Sequence, residues 1–173
     1  CTFNLGTGQG GRTKVGKNNL FMAYSHIAHD CIIGNGCIIA NCGTLAGHVT
    51  IEDRVVIGVL AAIHQFVHVG MLSIIGGCSK VVQDIPPYST CDGHPARVYG
   101  LNLVGLRRGA IGKDSISQLT RAFTILFNSG HCVKNAQLLL EQENITSSEV
   151  NYIIEFVKRT ERGLSRSCRN KKE

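Results

Sequence analysis

Every sixth residue from Val15 to Val81 is apolar: Val15, Phe21, Ile27, Ile33, Ile39, Leu45, Ile51, Ile57, Ile63, Val69, Ile75 and Val81. A helix repeats every 3.6 residues and a half-buried strand every two, so neither explains a period of six. The period predicts an all-β parallel β-helix, in which each hexad supplies one short strand and one corner, and three hexads close a coil of 18 residues. Residues 18 apart then lie above one another at roughly 4.8 Å, the spacing of paired strands. The sequence therefore carries its own ruler for which side chains meet.

The remaining hexad places agree. The residue after each anchor is mostly small (Gly16, Ala28, Gly34, Ala40, Ala46, Gly58, Gly70, Gly76), and so is the fifth place (Ser25, Cys31, Cys37, Gly43, Ala61, Ser73, Ser79). Compact residues are expected to permit the corners and leave room for the anchors. Gly6, Gly8 and Gly11 formally fit G-x-G-x-x-G, but hexads follow at once and no βαβ unit surrounds them, so the stretch reads as a glycine-rich loop leading into the first coil. Ile85-Pro86-Pro87 is expected to stop the ladder, since proline cannot donate to it. The pattern divides the chain into a β-helix over 1–88, a connecting segment over 89–110, and a small α-helical C-terminal domain with a basic tail over 111–173. In the last part, Asp114 is placed to cap a helix carrying Ile116, Leu119, Phe123 and Leu126 and ending near Gly130. A shorter helix is expected over 133–142. A third, started by Ser147 or Ser148, presents Val150, Ile153, Ile154 and Val157 on one face.

Composition narrows the function classes. The 173 residues carry a formal charge of +6, with Lys and Arg crowded at the C-terminus, which suggests an acidic or phosphorylated partner. No basic motif interleaved with aromatics and no finger spacing is present, so nucleic acid is not an expected partner. The eight cysteines lack any C-x-x-C pair, and Cys31 and Cys37 fill the compact place of successive hexads; buried reduced thiols in a reducing, cytoplasmic compartment are expected. No run of about 18 apolar residues predicts a membrane span, and no leader pattern is visible. Asn144-Ile145-Thr146 fits a glycosylation sequon by pattern alone.

Five of the seven histidines fall within the β-helix. The 18-residue ruler puts His29 beneath Gly47 and Gly47 beneath Gln65, with Asp30 beneath His48 and Phe66 in the next column. His64 belongs to the same patch. An imidazole is the natural base near neutral pH, a neighbouring carboxylate fixes its tautomer, and a bare glycine N–H can bond a developing oxyanion. This set suits acyl transfer in which His activates a hydroxyl or an amine. Two other readings of spacing alone stand beside it: solvated corner histidines, and zinc shared between subunits through His26 and His29.

Three stretches, Ser25-His26-Ile27-Ala28-His29-Asp30-Cys31, Leu45-Ala46-Gly47-His48-Val49 and Ile63-His64-Gln65-Phe66, together resemble the UDP-N-acetylglucosamine O-acyltransferases, which open lipid A synthesis. Gln83-Asp84-Ile85-Pro86-Pro87-Tyr88 and the run from Gly100 to Arg108 extend the resemblance over most of the chain. The resemblance implies that His29 is the general base, that Asp30 orients it, and that the N–H of Gly47 stabilises the oxyanion. It further implies that His26, His48, His64 and Gln65 line the sugar and pantetheine region, that Asn102 and Arg108 hold the nucleotide, and that Gly77 floors the acyl groove. It implies a left-handed β-helix, a homotrimer with sites between subunits, UDP-N-acetylglucosamine as acceptor, a 3-hydroxyacyl chain on acidic acyl carrier protein as donor, and no cofactor or metal. The excess of Lys and Arg agrees with an acidic partner. The sequence departs from the family at Val104, where an acidic residue is expected, at Gly109, where arginine is common, and at Lys80, where a small residue is usual. The family also has further N-terminal coils with donor-contacting residues, so a catalytically impaired trimeric remnant or scaffold is the alternative reading.

Overall fold

The computed structural model describes residues 1–128, 138–140, 145 and 147–165. A parallel β-solenoid of about four turns fills the first half, as the period predicts, and a few helices follow. Its first face stacks β1 (Thr2–Phe3), β4 (His26–Ile27), β7 (Thr44–Leu45), β10 (Ala62–Ile63) and β13 (Lys80–Val81). The second stacks β2 (Lys14–Val15), β5 (Ile32–Ile33), β8 (Thr50–Ile51) and β11 (His68–Val69). The third stacks β3 (Leu20–Phe21), β6 (Ile38–Ile39), β9 (Val56–Ile57) and β12 (Ile74–Ile75), and continues into β14 (Ser89–Gly93) and β15 (Ala96–Leu101). From β2 to β13 the register is the predicted 18, with Ile27 opposite Leu45, Leu45 opposite Ile63 and Ile63 opposite Val81.

Each strand turns its second residue inward, so the anchors from Ile27 to Val81 are buried. The compact fifth place is also interior: Ser25, Cys31, Cys37, Ala61, Ser73 and Ser79 are all buried beside the anchors. Val15, 44% exposed, and the partly buried Phe21 are the exceptions. They lie in the first coil, with a neighbouring coil on one side only.

The corners depart from expectation. The bends are made by the third residue after each anchor from Val15 to Ile75, which adopts positive φ at Asn18, Tyr24, Asp30, Gly36, Cys42, His48, Arg54, Leu60, Phe66, Leu72 and Cys78. Only one of these is glycine. A left-handed residue with a Cβ costs about 1–2 kcal/mol, and from Gly36 to Cys78 each corner residue's N–H donates to the coil below, which offsets that cost. His48 N donates to His29 O at 3.0 Å, and Leu60 N, Phe66 N and Leu72 N make the equivalent bonds to Asn41 O, Gly47 O and Asp53 O. The small residues after the anchors serve another purpose, since they let successive coils approach. A Cβ at Gly58 would meet Gly77 N at 2.6 Å.

Two further corrections concern the ladder. The glycine-rich stretch does not lead into the coil but leaves it and returns. Thr2 pairs with His26, 24 residues on, while Lys14 pairs with Ile32 at the regular 18, so a six-residue excess is extruded between β1 and β2. Nor does Pro86-Pro87 end the ladder. Ile85 bridges to Val69, and β14 pairs parallel with β12 before turning back antiparallel as β15.

Beyond β15 come α1 (Leu103–Arg108), α2 (Lys113–Phe123) with a π-helical turn over Thr124–Asn128, and α3 (Ser148–Arg159). Gly112, not Asp114, takes the N-cap position of α2; Asp114 lies in its first turn. Ser147 caps α3 through its side-chain oxygen, and Val150, Ile153, Phe156 and Val157 face the core, with Ile154 at its margin. The helix expected over 133–142 and the tail after Ser165 lie largely or wholly outside the described residues. Helix α3 is fastened to the prism by carboxylates. Glu52 accepts from Met71 N at 2.8 Å, His68 Nε2 at 2.9 Å and Arg159 at 2.5 Å, and buried Asp84 accepts from His68 N at 2.8 Å and from the Thr160 hydroxyl. The six cysteines among the described residues are free thiols, with Cys31, Cys37 and Cys91 buried. No helix among the described residues is long and apolar enough to cross a membrane.

Candidate functional site

The edge between the first and second faces carries the histidine patch. The predicted columns form: His48 N donates to His29 O, and Phe66 N donates to Gly47 O, so His29, Gly47 and Gln65 are stacked, as are Asp30, His48 and Phe66. The imidazole of His29 lies directly against the Gly47 backbone. A Cβ placed on Gly47 would sit 2.5 Å from His29 Cε1 and 2.7 Å from Nε2. Glycine at this position is therefore a steric requirement of the histidine beneath it. Among the described residues the Gly47 N–H meets no acceptor, and the residue is buried against the His29 ring.

His29 Nδ1 is 2.9 Å from Asp30 Oδ2, and the His29 side chain is 40% exposed while that of Asp30 is 7% exposed. The Asp30 carboxyl is held at about 2, chiefly by the Thr7 hydroxyl hydrogen bond and then by His29. An ionised carboxylate only accepts, so Nδ1 is the donor to Asp30 and Nε2 is the ring nitrogen that Asp30 leaves unengaged. His48 Nε2 stands 3.7 Å from the same carboxylate oxygen. Its ring is edge-on to His29, with centroids 5.1 Å apart, and stacked on half-exposed Phe66 at 4.8 Å.

Sequence reasoning missed the residues that hold Asp30. The Thr7 N–H reaches both carboxylate oxygens at 3.1 Å and its hydroxyl donates to Oδ2 at 2.6 Å, while Asp30 N donates to Thr13 Oγ1 at 3.0 Å. Both threonines belong to the extruded loop. Its six-residue excess carries Thr7 off the 18-residue ruler, and no other signal pointed to it.

The other expected residues fall apart from this cluster. His26 sits on β4, where its Nδ1 lies 2.6 Å from Thr2 Oγ1. His64 follows β10 on the same edge as the cluster, its Nδ1 3.2 Å from Gln65 O, and both it and Gln65 are exposed. Asn102 caps α1, accepting from Gly105 N at 2.9 Å and donating to Leu72 O at 2.8 Å, which places it at the edge between the second and third faces. Arg108 is exposed in the last turn of α1. Gly77 lies at the third edge, where a Cβ would meet Val59 Cγ1 at 3.1 Å. One chain thus distributes these residues over all three edges of the prism.

Among the described residues, one group of three side chains has donor atoms close enough to share a cation: His29, Asp30 and His48, all within 4.8 Å. His26, with Nδ1 turned to Thr2, does not join it. The Asp30 oxygens already accept from Thr7 and His29, an arrangement that supports a base–carboxylate pair.

Comparison with known proteins bears on the family and the fold. Residues 84–165 match the family model described as UDP N-acetylglucosamine O-acyltransferase, domain 2, and residues 12–47 match that of the bacterial transferase hexapeptide. An acyl-[acyl-carrier-protein]–UDP-N-acetylglucosamine O-acyltransferase of Nautilia profundicola is 47% identical over 163 residues, which are 93% of this chain and 62% of the relative. Among solved structures, the UDP-N-acetylglucosamine acyltransferase of Campylobacter jejuni is 34% identical with a TM-score of 0.79, covering 96% of this chain and 75% of that one. The Bacteroides fragilis counterpart is 37% identical with a TM-score of 0.87, covering 93% and 63%. The chain spans under two thirds of the length of the curated relatives it matches.

Proposed function

Because this chain belongs to the UDP-N-acetylglucosamine O-acyltransferase family and has its left-handed β-helix, we propose that it transfers a 3-hydroxyacyl group from acyl carrier protein to the 3-hydroxyl of UDP-N-acetylglucosamine. The observation that supports the reading is how closely the His29 ring packs on Gly47, a residue where a Cβ would sit 2.7 Å from Nε2 and whose N–H has no acceptor among the described residues. His29 Nε2 takes the proton from the sugar hydroxyl as that oxygen attacks the thioester carbonyl. Negative charge develops on the carbonyl oxygen, where the Gly47 N–H donates to it. Collapse of the intermediate forms the ester, breaks the carbon–sulfur bond, and returns the proton from the imidazolium to the departing thiolate. Asp30 keeps Nδ1 protonated throughout and stabilises the imidazolium.

His48, His64, Gln65 and His26 supply polar contacts for sugar and pantetheine, Asn102 and Arg108 take the nucleotide, and Gly77 leaves the acyl groove open. Their distribution over three edges of one prism favours a homotrimer, in which an edge of one subunit faces a different edge of the next. No cofactor or metal enters the chemistry, and a cytoplasmic location accords with free thiols in the core and an acyl-carrier-protein donor. The test is release of acyl-carrier-protein thiol by the purified chain. It is expected to require UDP-N-acetylglucosamine and to fall at least 100-fold in His29→Ala. Sugar-independent release, or an unchanged rate in the variant, overturns the proposal.

A further inference from the structure

A carboxylate that orients a histidine is effective only if its own plane is fixed, and Asp30 sits on a corner with φ of 59° where the backbone alone does not fix χ2. The extruded loop supplies what is missing. Thr7 donates its N–H across both oxygens and its hydroxyl to Oδ2, the same oxygen that accepts from His29 Nδ1 at 2.9 Å. Thr13 holds the Asp30 N–H through Oγ1 and ties the loop base by donating to Asn4 O at 2.6 Å. The loop passes so closely that a side chain on Gly11 would run into the Thr7 backbone and into Asp30 Oδ1, and one on Gly6 would run into Gly11. The glycines therefore serve neither a dinucleotide nor a simple lead-in. They allow the loop to fold onto the carboxylate.

We infer that Thr7 is a positioning residue for the acyl-transfer step, its loop clamping the Asp30 carboxylate in the plane that aims Oδ2 at His29 Nδ1. The inference rests on the acyl-transfer reading of the same site. Three consequences follow from the contacts. Removing only the hydroxyl, as in Thr7→Val, keeps the backbone bond and the loop's bulk but takes away the 2.6 Å bond to Oδ2, the oxygen that meets His29 Nδ1. Thr7→Ser restores the donor. With the carboxylate itself altered by Asp30→Asn, the hydroxyl has no charged plane to hold.

The experiment uses the full chain. Thr7→Val is expected to lower kcat about 10-fold with the KM for UDP-N-acetylglucosamine and the melting temperature unchanged, Thr7→Ser to stay within about twofold of the parent, and Thr7→Val to cost nothing further in an Asp30→Asn background. A readout independent of turnover accompanies these. In carboxyl-labelled protein the Asp30 midpoint, about 2 in the parent, rises in Thr7→Val and stays low in Thr7→Ser. His29 and His48 are the titratable neighbours whose resonances are followed with it. Parental kcat and midpoint in Thr7→Val, or losses that add to those of Asp30→Asn, overturn the clamp. If the parent chain acylates no UDP-sugar, the acyl-transfer reading falls by itself, and the carboxyl midpoint still decides whether Thr7 holds Asp30.

Discussion

Replacing Gly47 with alanine adds one carbon at the most crowded point of the site. The new Cβ would lie 2.5 Å from His29 Cε1, against an ordinary contact of 3.4–4 Å, so the ring must retreat by about 0.9 Å. His29 is held by a single 2.9 Å hydrogen bond to Asp30, and a retreat of that size breaks or badly lengthens it. A misplacement of about 1 Å in a reacting group costs roughly 100-fold in rate, equivalent to about 2.7 kcal/mol of barrier. The backbone at Gly47 is not left-handed, so alanine is tolerated conformationally and the N–H proposed to bond the oxyanion is retained. Gly47→Ala is therefore expected to lose about two orders of magnitude in kcat with a melting temperature close to the parent's, measured by initial rates of transfer beside thermal unfolding. A folded Gly47→Ala protein with kcat within twofold of the parent refutes the argument that His29 must lie on a bare backbone.

Asp30 titrates lower in the folded chain than its ordinary value of 3.8. The unfolded chain therefore binds more protons between about pH 4 and pH 2, and stability contributed by Asp30 is lost as pH falls through that window. Asp30→Asn is expected to flatten this part of the stability–pH curve in acid titrations followed by denaturant melts. Burial works to raise the Glu52 pKa, but hydrogen bonds from His68 and Tyr152 outweigh it and leave it lowered. Glu52→Ala strands the Met71 N–H while half-exposed Arg159 turns to solvent, so urea unfolding is expected to show a loss of about 1–3 kcal/mol. Burial pushes the Cys91 thiol up to about 12 and raises Cys31 and Cys37. Mass mapping after brief alkylation of the native protein is expected to find label on exposed Cys1 and Cys78 and none on these three.

The solenoid was legible because a closed prism must repeat its inward anchors at one spacing, and twelve residues from Val15 to Val81 do so without interruption. The same ruler placed His29, Gly47 and Gln65 in one column and Asp30 beneath His48, so the core of the site could be assembled before any coordinates. It failed where contact does not follow the repeat. Thr7 reaches Asp30 because the excess loop folds back onto it, and Glu52 meets Arg159 across 107 residues of sequence. The corner conformation was hidden for a different reason. Leu60, Phe66 and Leu72 are poor left-handed residues by propensity, and the N–H bond to the coil below compensates the conformation. The π turn after α2 had no sequence signal, because the apolar spacing of Phe123 and Leu126 is equally that of an uninterrupted helix.

The central claim is that His29, braced by Asp30 and seated on Gly47, drives O-acylation of a UDP-sugar. Mass spectrometry of UDP-N-acetylglucosamine incubated with the chain and 3-hydroxyacyl acyl carrier protein tests it most directly. The account predicts an ester-linked 3-hydroxyacyl adduct on the sugar's 3-oxygen, formed by the parent and absent with a folded His29→Ala protein. An adduct formed equally by both, or an acyl group found on nitrogen, contradicts it.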